Sequence, residues 1–408
     1  MNIAILHYSV PPIVGGVESV IAHHARLMSA DGHSVRLIAA RGESLSEQTP
    51  LTTIPLADSR HGRVTEMKEQ LDRGEVTQNF ETLRDELAEQ LQTALSGTEI
   101  LIAHNVCSLN KNLALTAALH QLHTSNKLPR LILWHHDLAW TTPRYISELH
   151  DGYPWDLLKT AWPNAAQVTV SDMRQGELAD LMKIDKSQIA VVPNGVDISR
   201  FFKLEEQTQG YVKRLGLLEA NPVLLLPVRI TPRKNIELAL QIMAVLRNDF
   251  PSIHMVVTGP LGPHNSANLQ YFEKLSALRG ELGLKNSAHF LAELTNEFIP
   301  DLVISDFYNL ADALLFPSFE EGFGIPILEA GIAGIPVFCS DIPPLKNLGG
   351  EFASYFSPQE NPGVVAKMMA AHLKNDKVFG LRAFVREQFT WERVYMTKIA
   401  PMFKEVEI

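Results

Sequence analysis

Two carboxylates eight residues apart carry the clearest chemical signal in this chain. Glu321 and Glu329 frame the run Glu321-Gly322-Phe323-Gly324-Ile325-Pro326-Ile327-Leu328-Glu329. The two glycines free the backbone to approach a ligand closely. Pro326 suits the first residue of a helix. The amides of Phe323, Gly324 and Ile325 are then expected to point out of a helix N-terminus, where an anion or sugar hydroxyls bind. Glu321 falls just before that helix and Glu329 about one turn inside it. Amides donate and carboxylates accept, so the set suits a polyhydroxylated ligand. A carboxylate kept only for the helix dipole would explain Glu321 but not the Gly-Phe-Gly-x-Pro run.

A second constellation is Arg229-Ile230-Thr231-Pro232-Arg233-Lys234. Arg229 ends an apolar run, and Lys234 is expected in the first turn of the next helix. A cation there opposes the helix dipole. A guanidinium and an ammonium at a helix start do make a diphosphate clamp. A solvated basic turn is the plain alternative. Neither a G-x-G-x-x-G fingerprint nor a G-x-x-x-x-G-K-[ST] loop is present, which argues against a nicotinamide enzyme and a P-loop ATPase. No Asp-x-Asp, C-x-x-C or H-E-x-x-H occurs.

These groups need strands and helices to hold them. Asn2 to Leu6 reads as a buried strand, followed by Gly15-Gly16 and a helix whose apolar positions are Val17, Val20, Ile21, Leu27 and Met28. Gly32 stops it, and Val35 to Ala40 is a second strand. Parallel strands joined in this way build α/β sheets. Ile100 to Ala103, Leu131 to Trp134 and Gln167 to Val170 are further strands. They end in His104-Asn105, His135-His136-Asp137 and Ser171-Asp172. Ligand groups gather at the carboxyl ends of such strands, so the three clusters are expected around one crevice. After Pro193-Asn194-Gly195 the pattern restarts: Val223 to Val228, His254 to Val257, Ala313 to Phe316 and Pro336 to Cys339 are strands. Helices are expected at Ile236 to Leu246 and Pro326 to Gly334. Asp58 to Gly97 is mostly helical and solvated, and Phe389 to Val406 reads as a closing helix.

Composition bounds the function. The 408 residues suit two domains. The formal net charge of -10 argues against sequence-independent nucleic-acid binding. Two lone cysteines, Cys107 and Cys339, suggest a reducing compartment. The N-terminus lacks the basic and long apolar regions of a signal peptide. No apolar run approaches the ~20 residues of a membrane span. A cytoplasmic chain is expected, with at most peripheral contact at the inner face of a membrane.

On these residues the chain resembles the retaining nucleotide-sugar glycosyltransferases of the GT-B fold, in the group-1 family that shares an E-x(7)-E motif. The resemblance runs from Gly15-Gly16-Val17-Glu18 and Gly32-His33-Ser34-Val35 to His136-Asp137. It continues through Val192-Pro193-Asn194-Gly195-Val196-Asp197, Arg229 with Lys234, Glu321 to Glu329, and Phe389-Thr390-Trp391-Glu392. The Glu-Gly-Phe-Gly-x-Pro-x-x-Glu run is specific; Gly-Gly and Pro-Asn-Gly are individually weak.

The resemblance implies an α/β protein of two Rossmann-like domains facing a central cleft. Residues 1–193 would be the acceptor domain and 194–387 the donor domain, with a helix at 388–408 crossing back to the first. Glu329 would hold the ribose. Glu321, His136 and the amides of Phe323, Gly324 and Ile325 would meet the donor sugar. Arg229, Lys234 and the amides of Gly15 and Gly16 would take the diphosphate. The backbone at Leu291 and Ala292 would read the base. No metal or cofactor is implied, since the nucleotide-sugar is a substrate and cations do the work of an ion. UDP-glucose is the first expected donor and GDP-mannose the second. A saccharide or lipid-linked acceptor is expected. Two readings stay open beside a hexosyltransferase: a sugar-nucleotide epimerase of the same architecture, and a non-catalytic nucleotide-binding partner of another enzyme.

Overall fold

The computed structural model describes residues 1–260 and 266–404. The chain forms two compact units: Met1–Gly195 with the residues from Trp391 onward, and Val196–Thr390. Each is organised by one sheet.

The first sheet contains β1 (Asn2–Leu6), β2 (Ser34–Ala39), β3 (Leu51–Thr53), β4 (Ile100–His104), β5 (Arg130–His135), β6 (Ala166–Thr169) and β7 (Ile189–Val191). Their order is β3-β2-β1-β4-β5-β6-β7, parallel throughout. The second contains β8 (Val223–Leu226), β9 (His254–Val257), β10 (Ala288–Phe290), β11 (Ala313–Phe316), β12 (Val337–Ser340) and β13 (Ser354–Phe356). Their order is β10-β9-β8-β11-β12-β13, again all parallel. Helices cover both faces of such sheets, so central strands are apolar without alternation. In β4, β8 and β11 every residue is buried.

In both sheets the chain builds outward from the first strand, then returns to add strands on its other side. The switch points lie between β1 and β4 and between β8 and β11. Loops leaving the carboxyl ends there diverge and open a crevice. His7 and His104-Asn105 stand at the first, Arg229–Lys234 and Ser318–Glu321 at the second.

Two local expectations are corrected. Lys234 is not in a helix but ends a 3-10 turn, Pro232–Lys234. Asn235, left-handed at φ 52°, separates that turn from the helix Ile236–Leu246, so the cation does not face the helix dipole from inside the first turn. Ser171 serves as the N-cap of the helix Asp172–Met182, accepting from the Arg174 amide at 3.2 Å, so its hydroxyl oxygen is engaged by the backbone. The closing segment is not one regular helix. It is an α turn at Trp391–Val394, a π turn at Tyr395–Ile399 and a 3-10 turn at Ala400–Met402. Pro401 has no N–H to give and its ring crowds the preceding turn, which breaks the regular ladder. The last residues of that expected helix, 405–408, lie outside the described residues.

Asp312 ties the second sheet to the helix Lys377–Gln388. Its carboxylate is fully buried, accepts from the Val223 amide at 2.8 Å and pairs with Arg386 at 2.5 Å. Removing one partner of a buried pair leaves an uncompensated charge. Asp312→Ala is therefore expected to cost about 3–5 kcal/mol, read as a lower urea midpoint for the second unit with little change in slope. A cost under about 1 kcal/mol would show that water replaces the carboxylate.

Candidate active site

In the second unit, the loops after β8 and β11 meet at Lys234 and Glu321. Lys234 Nζ donates to Glu321 Oε1 at 2.5 Å, and the side chains are only 10% and 9% exposed. The ammonium also lies 5.5 Å from the centre of the Phe316 ring. Backbone contacts hold the two loops in register. The Phe319 amide donates to the Arg233 carbonyl at 2.9 Å. Asn235 Nδ2 donates to the carbonyls of Pro317 at 3.1 Å and Pro358 at 2.8 Å. Arg229 is exposed and has no side-chain partner among the described residues. The loop that carries it runs against Gly259, where a Cβ would stand 1.9 Å from the Val228 carbonyl oxygen. Only glycine permits that approach.

Glu321 precedes the helix Ile325–Ala333, and Glu329 is its fifth residue. Gly324 caps the helix at φ 107°, a left-handed value natural to glycine, and a Cβ there would strike Leu345 at 2.5 Å. The amides of Phe323, Gly324 and Ile325 donate to nothing among the described residues. Glu329 Oε2 accepts from the Tyr308 hydroxyl at 2.6 Å. Burial and the Glu329 carboxylate push the Tyr308 phenol far above its usual range, so it stays a donor. Leu291, in the 3-10 turn after β10, is fully buried, whereas Ala292 is only partly covered. The Leu291 carbonyl already accepts from the amides of Leu294 at 2.9 Å and Thr295 at 3.1 Å.

The first unit gathers histidines instead of charges. His136 Nε2 and His104 Nδ1 lie 3.1 Å apart. His7 Nδ1 donates to the His104 carbonyl at 2.7 Å, and His135 Nε2 to Gln167 Oε1 at 2.8 Å. His24 packs on Trp134 with ring centres 4.7 Å apart. Asn105, left-handed at φ 57°, accepts through Oδ1 from the amides of His136 at 2.7 Å and Asp137 at 3.2 Å. Thus two of the three expected polar clusters join. Gly15 and Gly16 open the helix Gly16–Ala30, with Gly15 as its cap. A Cβ at Gly15 would lie 2.0 Å from Glu18 Oε2, and Glu18 also accepts from Ser9 at 2.6 Å.

Tyr308 and Asn235 were missed from the sequence. Tyr308 lies on a separate helix, Asp301–Leu310, and nothing local signals its reach to Glu329. Asn235 did carry a signal, an asparagine directly after the basic turn and able to adopt the left-handed conformation.

Among the described residues, no group of three or more His, Cys, Asp or Glu could hold a metal ion. No helix among them is long and apolar enough to cross a membrane. Two parallel α/β units, each with polar groups at the switch point of its sheet, are the double domain of GT-B proteins. Residues 14–200 match Glycosyltransferase Family 4, and residues 209–384 match Glycosyl transferases group 1. Over 385 residues the chain is 27% identical to mannosylglucosylglycerate synthase of Thermotoga maritima, across 84% of this chain and 83% of that protein. The enzyme of the same name in Petrotoga mobilis is 26% identical over 64% of this chain and 65% of its own length. D-inositol 3-phosphate glycosyltransferase of Streptomyces scabiei is 27% identical over 55% of this chain and 47% of that protein. The chain belongs to the GT-B glycosyltransferases of group 1 and family 4, enzymes that move a sugar from a nucleoside-diphosphate donor to an acceptor.

The histidines set an acid limit on stability. Burial pushes His7 and His135 down to about 4, and His24 and His136 to about 3, from 6.5. The unfolded chain takes up these protons near pH 6.5, while the folded chain does so only near its lowered values. The stability they confer is complete above pH 6.5 and is lost as pH falls through 6.5 towards 4. Each group is expected to withdraw about 2 kcal/mol at pH 5. The melting temperature should fall steeply between pH 7 and pH 5; a flat profile would show that the rings charge freely in the folded protein.

Proposed function

We propose that this chain is a retaining, metal-independent hexosyltransferase. The Lys234–Glu321 pair at the switch point of the second sheet carries the reading. An ammonium has three donors, so Lys234 can keep Glu321 and still grip a phosphate oxygen. Arg229 supplies a planar fork to the same diphosphate. The departing phosphate gains negative charge as the glycosidic bond breaks. Contacts to it therefore strengthen in the transition state, and cations on the protein take the place of a divalent ion. Glu321 and the amides of Phe323, Gly324 and Ile325 meet the sugar, and Glu329 takes the ribose with Oε1 while Tyr308 holds Oε2. The base lies against the backbone at Ala292, beside the buried Leu291.

Glu321 is engaged by Lys234, so a covalent nucleophile is not invoked. The acceptor attacks on the face from which the diphosphate leaves, and a phosphate oxygen takes its proton. UDP-glucose is the first donor to test and GDP-mannose the second. The name of the Thermotoga relative supports mannosyl transfer and an acid-bearing sugar acceptor. The name of the Streptomyces relative supports a phosphorylated polyol.

The test is an assay with UDP-glucose or GDP-mannose, and glucosylglycerate or D-inositol 3-phosphate as acceptor, in excess EDTA. Transfer with the anomeric configuration kept is expected. Loss of activity restored by Mg²⁺, or an inverted product, overturns the corresponding part of the reading. Conversion of donor to an epimer without acceptor would instead make the chain an isomerase.

The two ends of the donor site should separate kinetically. Lys234→Ala is expected to lower kcat by about 10²–10³ with a smaller change in donor affinity. Tyr308→Phe should weaken free nucleotide about three- to tenfold by calorimetry, because Glu329 loses its orienting hydrogen bond. Near-normal kcat in Lys234→Ala would remove that lysine from the leaving group.

A further inference from the structure

The His104–His136 contact joins two neutral rings. Burial holds His104 well below its ordinary value and His136 down to about 3. A hydrogen bond between neutral imidazoles needs one N–H and one bare nitrogen. The contact is between His104 Nδ1 and His136 Nε2, at 3.1 Å. Two arrangements satisfy it, and they differ in what each ring shows elsewhere.

If His136 donates, His104 must carry its proton on Nε2. That atom is sealed from solvent and has no partner among the described residues. The arrangement would bury an orphaned N–H, which is rare and costly. If His104 donates, the orphan at Nε2 is a lone pair. The neighbouring ring follows the same pattern. His135 donates through Nε2 to the Gln167 carbonyl oxygen, and its sealed, unpartnered atom is the bare Nδ1. Donation by His104 leaves His136 with a bare Nε2 and hence a proton on Nδ1. His136 Nδ1 has no partner among the described residues and is not among the sealed atoms. The Asn105 bonds to the amides of His136 and Asp137 fix the backbone that carries the ring.

We propose that His104 is a positioning residue that locks His136 in the Nδ1–H tautomer, so that His136 meets a hydroxyl oxygen of the donor sugar as a neutral hydrogen-bond donor and not as a base. This rests on the reading of His136 as a donor-sugar contact. Acting as a donor, His136 selects a sugar oxygen that can accept, and its low proton affinity keeps it from competing with the phosphate oxygen for the acceptor proton.

The test uses the full chain labelled with ¹⁵N-histidine, with His136 assigned by comparison with His136→Gln. Wild type is expected to show His136 protonated on Nδ1. His104→Asp, which sets an acceptor where the Nδ1 donor stood, should put a proton on Nε2, and His104→Asn, whose amide N–H replaces the Nδ1 donor, should keep Nε2 bare and the proton on Nδ1. In kinetics, His104→Asp should lower kcat/KM for the donor sugar about tenfold while free nucleotide binds normally. His104→Asn should recover most of this loss, and His136→Ala should mask it. A wild-type His136 protonated on Nε2, or an Nε2 left bare in His104→Asp, overturns the proposal whatever the kinetics. A His136→Ala enzyme with normal turnover removes His136 from the donor sugar and overturns the reading beneath it, which the tautomer measurement reports separately.

Discussion

A buried ion pair is expensive unless its geometry is fixed, and the second unit is arranged around that constraint. Taking an ammonium and a carboxylate out of water costs several kcal/mol per ion, and the attraction repays it only when the two are held close. Lys234 and Glu321 come from loops on different strands. The Phe319 amide bridges those loops, and Asn235 reaches two further carbonyls beside them. The pair is thus preorganised, and the cation it presents is already stripped of much of its water.

The first unit solves a related problem by the opposite means. It brings His7, His24, His104, His135 and His136 into one apolar environment and keeps them neutral. Neutral rings need no counterion. They do need their protons assigned, because every buried imidazole has a donor and an acceptor nitrogen to place. Charge organises one unit and proton placement the other.

Much of this was legible from residues adjacent in sequence. β9 and β11 follow the apolar runs His254–Val257 and Ala313–Phe316. β3, β10 and β13 have three residues each, too few for periodicity to distinguish them from loop. The Glu321–Glu329 stretch could be read because spacing along one helix start defines it. Tyr308 could not, because its contact with Glu329 depends on how two helices pack. His104 was seen as the polar end of a strand. Its bond to His136 comes from β4 and β5 lying side by side, which sequence spacing does not state. Lys234 was placed one element too far on because a left-handed Asn235 interrupts a pattern that otherwise reads as helix.

The tail bears on the order in which the protein can be made. Trp391, Val394, Tyr395, Ile399 and Phe403 belong to the same apolar cluster as Ile3, Ile5 and Ile21. Gly195 leaves room for Trp391, since a Cβ there would lie 2.6 Å from the indole. The first unit is therefore discontinuous in sequence, while the second is a single stretch, Val196–Thr390. A ribosome working from the N-terminus releases the whole of the second unit before it releases the residues that finish the first. The part translated first is the last whose core can be completed, and until then its newly made surface waits for a tail synthesised roughly 200 residues later, the interval in which domains of large proteins are most exposed to aggregation.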